Sequence, residues 1–236
     1  MRNRNWVIES VWGLAFFSCI ASAAGAEVAT PPYAAMAPLA QYRIASASEE
    51  IALARSAAPA SISGKADILI LGDGGYETAV KGENGFACIV ERSWAVDFDN
   101  AEFWNPRIRG PICYNAAAVR SVVPAYLERT RWVLAGVSKP DMIDRTKAEL
   151  AAGAIARPEA GAMCYMLSRQ GYLSGADSHW HPHLMFFAAD TEAAWGANLE
   201  GSPVIAAPGN PGAYTIFMVP VARWSDGTPA KMMKMN

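Results

Sequence analysis

From Ala66 onward the chain reads as short apolar runs cut by glycine turns: ADILILG is broken by Gly72-Asp73-Gly74-Gly75, YETAV resumes, KGENG breaks again at an Asn-Gly step, and FACIVE makes a third run. Runs of this length between such turns are strands linked as hairpins, which predicts an antiparallel meander. Two helices follow. Asn115 caps one whose apolar positions Val119, Val122, Val123, Tyr126, Leu127, Val133 and Leu134 recur at i, i+3 and i+4 until Gly136, with a kink expected at Pro124. Ser138 with Asp141 opens the second, which continues toward Ala152 and stops ahead of Gly153. After Pro158 the strand signals return in AMCYMLS, HLMFF, SPVIAA and YTIFMVPVARW. Strands, then helices, then strands predict an α+β fold with a mainly antiparallel sheet and an antiparallel helix pair packed on it.

The first residues place Arg2 and Arg4 before an apolar stretch from Val11 to Ile20 and the small residues Ala24-Gly25-Ala26. That order is a secretory signal peptide, residues 1–26, with cleavage after Ala26. Cys19 raises a lipoprotein alternative, but Phe16-Phe17-Ser18 is a poor match to the Leu-led box that lipidation uses. No later stretch is apolar for the ~18 residues a membrane span needs. The product is therefore expected to be exported, periplasmic or extracellular, with no transmembrane segment in the mature chain. Residues 27–47, rich in Ala and Pro without a sustained period, read as a tether. Residues 48–236 read as a single α+β domain, opening on a helix that Ser46 and Glu49 cap and Ile51, Leu53 and Ala54 face inward.

Losing residues 1–26 removes two basic residues and one acidic residue and leaves 18 basic against 21 acidic. A mildly acidic chain has no electrostatic footprint for nucleic acid, so nucleic-acid binding is excluded as a function class. Three cysteines remain, Cys88, Cys113 and Cys164. An oxidising compartment favours one disulfide and one thiol left over, with Cys88 and Cys113 preferred because each ends an apolar, strand-like run. The alternative is three buried apolar thiols. Oligomeric state is open at this level.

Chemistry concentrates in SHWHPH, residues 178–183, which holds all three histidines of the chain. On a strand His179, His181 and His183 share one face, and two imidazoles at i and i+2 can meet at one metal ion. Three such positions span about 13 Å of straight strand, so a bend at His179 is required to bring in the third. With a carboxylate the set suits zinc and a metal-activated water, hence hydrolysis; with Cys164, Met163, Met166 or Met185 it suits copper. The competing reading is a row of solvated edge histidines.

Other candidates are weaker. The segment after ADILILG resembles the start of a dinucleotide fingerprint, but Glu77 stands where its third glycine belongs and a strand follows in place of a helix. Asp97, Asp99 and Asn100 recur as in a calcium loop, with Glu102 where that loop needs glycine. The aromatic loop 94–114 either anchors itself to the core or, with Arg107 and Arg109, lines a pocket for a small-molecule ligand. Cys164 as a nucleophile is disfavoured by the apolar residues around it, which raise a thiol pKa.

The segments GYETAVKGENGF, EFWNPRIRGPICYN, AGAMCYM and SHWHPHLMFF together resemble a family of exported bacterial proteins with no assigned activity, over roughly residues 50–224. The resemblance implies export and one folded unit; it transfers no reaction, cofactor or catalytic residue. The sequence thus points to an exported protein with a metal-binding or polar active pocket at the histidine cluster, a zinc-dependent hydrolase in its most concrete form. The alternative is a non-enzymatic periplasmic ligand-binding, copper-binding or envelope protein.

Overall fold

The computed structural model describes residues 33–173, 181–209 and 214–230, so the expected signal peptide lies outside the described residues. Eight strands, β1 (Asp67–Leu71), β2 (Tyr76–Val80), β3 (Ala87–Glu91), β4 (Gly110–Tyr114), β5 (Met163–Met166), β6 (His183–Ala188), β7 (Ile205–Pro208) and β8 (Thr215–Pro220), form one sheet in the order β2-β1-β3-β4-β5-β6-β8-β7. Five α-helices accompany it among the described residues: α1 (Ala47–Arg55), α2 (Ala60–Ser63), α3 (Ala116–Ser121), α4 (Val123–Leu134) and α5 (Lys139–Ala151). The fold is α+β with a mostly antiparallel sheet.

One pairing departs from the expected meander. β1 and β2 form the hairpin, but β3 joins the other edge of β1 and runs parallel to it through Asp67↔Ala87 and Ile68↔Cys88. The chain must therefore cross the start of β1 after leaving β2. Asp67 holds that crossing, accepting a hydrogen bond from Gly82 N at 2.6 Å and pairing with Lys81 at 2.8 Å, while Glu83 N donates to the Lys65 carbonyl at 2.8 Å. Gly82 passes so close that a Cβ would sit 2.3–2.4 Å from the backbone of Lys65, Ala66 and Asp67. The β1-to-β3 connection has the length a parallel neighbour requires because it runs out through β2; a glycine with no side chain lets its last leg pass over the start of β1.

The two faces of the sheet are covered differently. Outward positions Ile68, Cys88, Val90 and Cys113 pack with Ala54, Ala57 and Ala58 from α1 and the turn after it. Inward positions Ile89, Ile112, Tyr114, Cys164, Met166 and Phe187 pack with Ala118, Val122 and Val123 from α3 and α4. The helices start where polar side chains satisfy their first amides: Ser46 accepts from Glu49 N, Asn115 from Ala118 N and Ser138 from Asp141 N. The kink expected at Pro124 is a full break, since Val122 separates α3 from α4. α5 contributes Met142 to another cluster, with Trp94, Phe103, Trp132 and Val133.

Part of 27–47 is described, and it packs against the folded unit. Tyr42 is fully buried, its hydroxyl donates to the Trp104 carbonyl at 2.8 Å, and Tyr33, Met36 and Ala37 pack beside the same cluster. Ala and Pro near it mask an aromatic anchor that lacks periodic neighbours. Substituting Gly82→Ala is expected to cost about 1–3 kcal/mol, because the clash is with backbone and not with a movable side chain. Urea unfolding of the variant against the parent checks it; an unchanged midpoint would contradict this account of the crossing.

Candidate functional site

Adjacent residues at the end of β3 go to opposite faces. Strand alternation sends Arg92 toward α1, where it is fully buried and pairs with Glu50 at 2.8 Å. It sends Glu91 inward, onto the wall of a cavity of about 240 Å³ between the inner face of the sheet and α4. Most of the remaining wall is apolar, including Ile108, Val122, Met166, Met185, Phe187, Ile216 and Met218. Arg92, whose guanidinium is engaged on the other face, also borders the cavity, and Tyr114, Tyr126, Arg129, His183 and Tyr214 contribute further polar groups.

Glu91 is held by Tyr114, whose hydroxyl donates to Oε1 at 2.5 Å. Burial pushes the Glu91 carboxyl up to about 7, even though the Tyr114 hydrogen bond and the Arg129 guanidinium both act to lower it. The nearest cation in sequence cannot help: Arg92 is engaged on the other face by Glu50 and by the Tyr42 carbonyl at 2.7 Å. Arg129 donates to the carbonyls of Trp94 and Val96 and lies over the Phe98 ring at 4.3 Å, and burial lowers its pKa to about 10. Burial raises the Tyr114 and Tyr126 hydroxyls well above their ordinary value, and Tyr214 as well. These phenols therefore stay protonated across the physiological range.

A directional hydrogen-bond chain fixes the roof of the cavity to its floor. Arg92 N donates to Tyr126 Oη at 2.9 Å, and Tyr76 Oη donates its single proton to the Val90 carbonyl at 2.6 Å. The 3.1 Å contact between the two phenols must then be donated by Tyr126. α4 is thereby tied to β2 and to the end of β3.

The histidine cluster divides. His183 lines the cavity, and its Nδ1 donates to the His181 carbonyl at 2.8 Å, which fixes the ring's orientation. Burial lowers the His183 pKa. His181 stands beside it, and His179 lies outside the described residues. Among the described residues no three His, Cys, Asp or Glu side chains form a group that could hold a metal ion.

The other candidates resolve as follows. Cys88 and Cys113 form a disulfide across β3 and β4, where they are direct neighbours in register. Cys164 is buried, and burial drives its thiol pKa far up, so it is a packed side chain and not a nucleophile. Trp94, Phe103 and Trp104 are buried, which makes the aromatic loop an anchor. Arg109 spends its guanidinium on the carbonyls of Gln41, Arg43, Pro106 and Ile108, and Arg107 lies over the Tyr172 ring; neither lines the cavity. The Asn100 carboxamide accepts from Glu102 N, closing a turn where calcium ligands were considered.

Glu91, Tyr114 and Arg129 escaped the sequence reading, although FACIVE does carry a signal: Glu91 falls in the same phase as Ile89, where an inward apolar residue belongs. Comparison with family models, curated proteins and solved structures found no match for this chain. The site is therefore interpreted from its own chemistry.

An unfolded glutamate titrates near ~4.3, whereas Glu91 in the fold keeps its proton up to about 7. Stability associated with that proton is complete below ~4.3 and is lost as pH rises through about 7. Glu91→Gln keeps the acceptor for Tyr114 but has no proton to lose. The parent-minus-variant difference in unfolding free energy should fall by roughly 3–4 kcal/mol across that window. Guanidinium unfolding at a series of pH values measures it, and a flat difference would contradict the buried-carboxyl assignment.

Proposed function

We propose that this chain is an exported binding protein whose cavity takes a small, mostly apolar molecule carrying one hydrogen-bonding group. The observation that carries the reading is a carboxyl and a phenol, Glu91 and Tyr114, joined to each other on the wall of an otherwise largely apolar cavity. A few placed polar groups on an apolar wall are the usual makeup of small-molecule sites, and about 240 Å³, just below their usual size range, restricts the occupant to a small molecule. Export is supported by the N-terminal pattern and is compatible with the Cys88–Cys113 disulfide. No described helix is long and apolar enough to cross a membrane.

The ionisation of Glu91 favours a second, related activity. A carboxyl that titrates near 7 can both give and take a proton at neutral pH, so a bound molecule with a labile proton could exchange it with Glu91. Proton exchange of this kind needs no metal ion. The zinc-hydrolase form of the histidine reading requires a third ligand beyond His181 and His183, which for that reading is His179.

Medium-chain alcohols, medium-chain carboxylic acids and simple phenols, titrated calorimetrically into the tag-free mature chain, test the proposal. At least one of these classes should bind with a 1:1 stoichiometry. Ala125 lines the cavity from α4, and Ala125→Phe should abolish that binding while leaving the thermal midpoint within a few degrees of the parent. Absence of binding by all three classes, or equal binding by the filled variant, would overturn the reading.

A further inference from the structure

The hydrogen bonds of the cavity wall leave an acceptor open at Glu91. The single proton of Tyr114 goes to Glu91 Oε1, that of Tyr126 goes to Tyr76, and Arg129 donates to the carbonyls of Trp94 and Val96. Glu91 Oε2 has no hydrogen-bond partner among the described residues, and it is not sealed from the cavity. An occupant that brings a donor completes it. The rings of Tyr114, Phe187 and Tyr214 line the same cavity as a continuous aromatic surface, with successive centroids 6.0 and 5.8 Å apart, and the first of them holds the carboxyl. A carboxylate bordered by aromatic rings suits an organic cation, which donates a charge-assisted hydrogen bond to the one and rests on the faces of the other.

We propose that the cavity takes a small primary monoamine, bound as its ammonium ion with the nitrogen at Glu91 Oε2 and its apolar body among the aliphatic and methionine side chains of the wall. This rests on the small-molecule reading above and narrows the occupant's hydrogen-bonding group to one chemical class. Glu91 is the one carboxylate on the wall among the described residues, so a diamine would bury a second charge without a partner. The groups that face Glu91 are compatible with a cation there. Tyr76 from β2, Tyr114 from β4, Cys164 from β5, Tyr126 from α4 and Tyr214 ahead of β8 are all held protonated, and so neutral, by burial. His183, on the same wall, is held neutral because burial lowers its pKa. Arg129 is the charged group that acts on Glu91. Its charge is engaged by two backbone carbonyls, by the Phe98 ring and by Asp97. The incoming ammonium ion takes over from the proton that the empty cavity keeps on Glu91, and that proton leaves to solvent.

The test is a calorimetric titration of the tag-free protein with hexylamine and phenethylamine, each beside the alcohol of the same shape, hexanol and phenethyl alcohol. Each amine should bind one per chain and, above the Glu91 titration, about tenfold more tightly than its alcohol. Amine binding should tighten about tenfold from about pH 6 to about pH 8 as Glu91 ionises, and it should release about half a proton at pH 7, read from the heats in buffers of different ionisation enthalpy. Glu91→Gln should erase both the amine preference and the proton release while the alcohols still bind. Proton release is measured on the parent, so the test survives a variant that fails to fold. Alcohols that bind where amines do not, or amines that bind with no proton released, would overturn this inference and leave the small-molecule reading standing. Failure of amines and alcohols alike would overturn both.

Discussion

A buried ion pair organises this protein. Arg92 is completely inaccessible and Glu50 nearly so, and removing two charges from water is costly unless every polar group finds a partner. Here the partners come from four segments. Glu50 on α1 accepts from Arg92 and from the Leu71 amide of β1 at 3.1 Å; Arg92 also donates to the Tyr42 carbonyl and to the Val90 carbonyl. The pair therefore locks α1, the end of β1, the end of β3 and the segment before α1 into one arrangement. Loss of either partner would leave a buried charge uncompensated, a change that ordinarily costs about 3–5 kcal/mol.

The character of the cavity follows from this commitment. Because Arg92 is consumed on the outward face, Glu91 faces inward with burial as the dominant influence on its charge. Its proton stays until about pH 7, and Tyr114 orients it. The backbone of Arg92 meanwhile starts the chain of hydrogen bonds through Tyr126 and Tyr76 that holds α4 over the inner face. One ion pair thus fixes the ends of β1 and β3 and, through the Arg92 backbone, the roof above Glu91, the one carboxylate on the cavity wall among the described residues. Met166, His183, Met185 and Met218 reach the same cavity through the antiparallel register of β5, β6 and β8.

Local rules were readable in the sequence and long-range ones were not. The caps at Ser46, Asn115 and Ser138 depend on a side chain and an amide three residues apart, and each formed as spacing implied. β5, β6 and β8 fall within runs whose composition marks strands. β4 was legible only in part: Pro111-Ile112-Cys113 reads as a strand-like run, but it sits at the end of an aromatic loop and its extent from Gly110 to Tyr114 is set by pairing with β3 and β5. The parallel pairing of β1 and β3 depends on Gly82 approaching residues 65–67, a contact that no periodicity encodes. Tyr42 is anchored by partners 50 and 62 residues away, so its surroundings read as a tether. His183 was found because histidines are scarce in this chain, whereas Glu91 becomes conspicuous only once the inward phase of β3 is known.

The central claim is that Glu91 is a buried, cavity-facing carboxyl that exchanges its proton near neutrality. The most direct measurement is a carbon-detected NMR titration of the protein labelled at the glutamate carboxyl carbons, with Glu91→Gln used to assign its signal. The account predicts a single resonance with a midpoint near 7 that moves when a bound alcohol or acid fills the cavity. A midpoint for Glu91 in the ordinary carboxylate range, unmoved by any occupant, would contradict it.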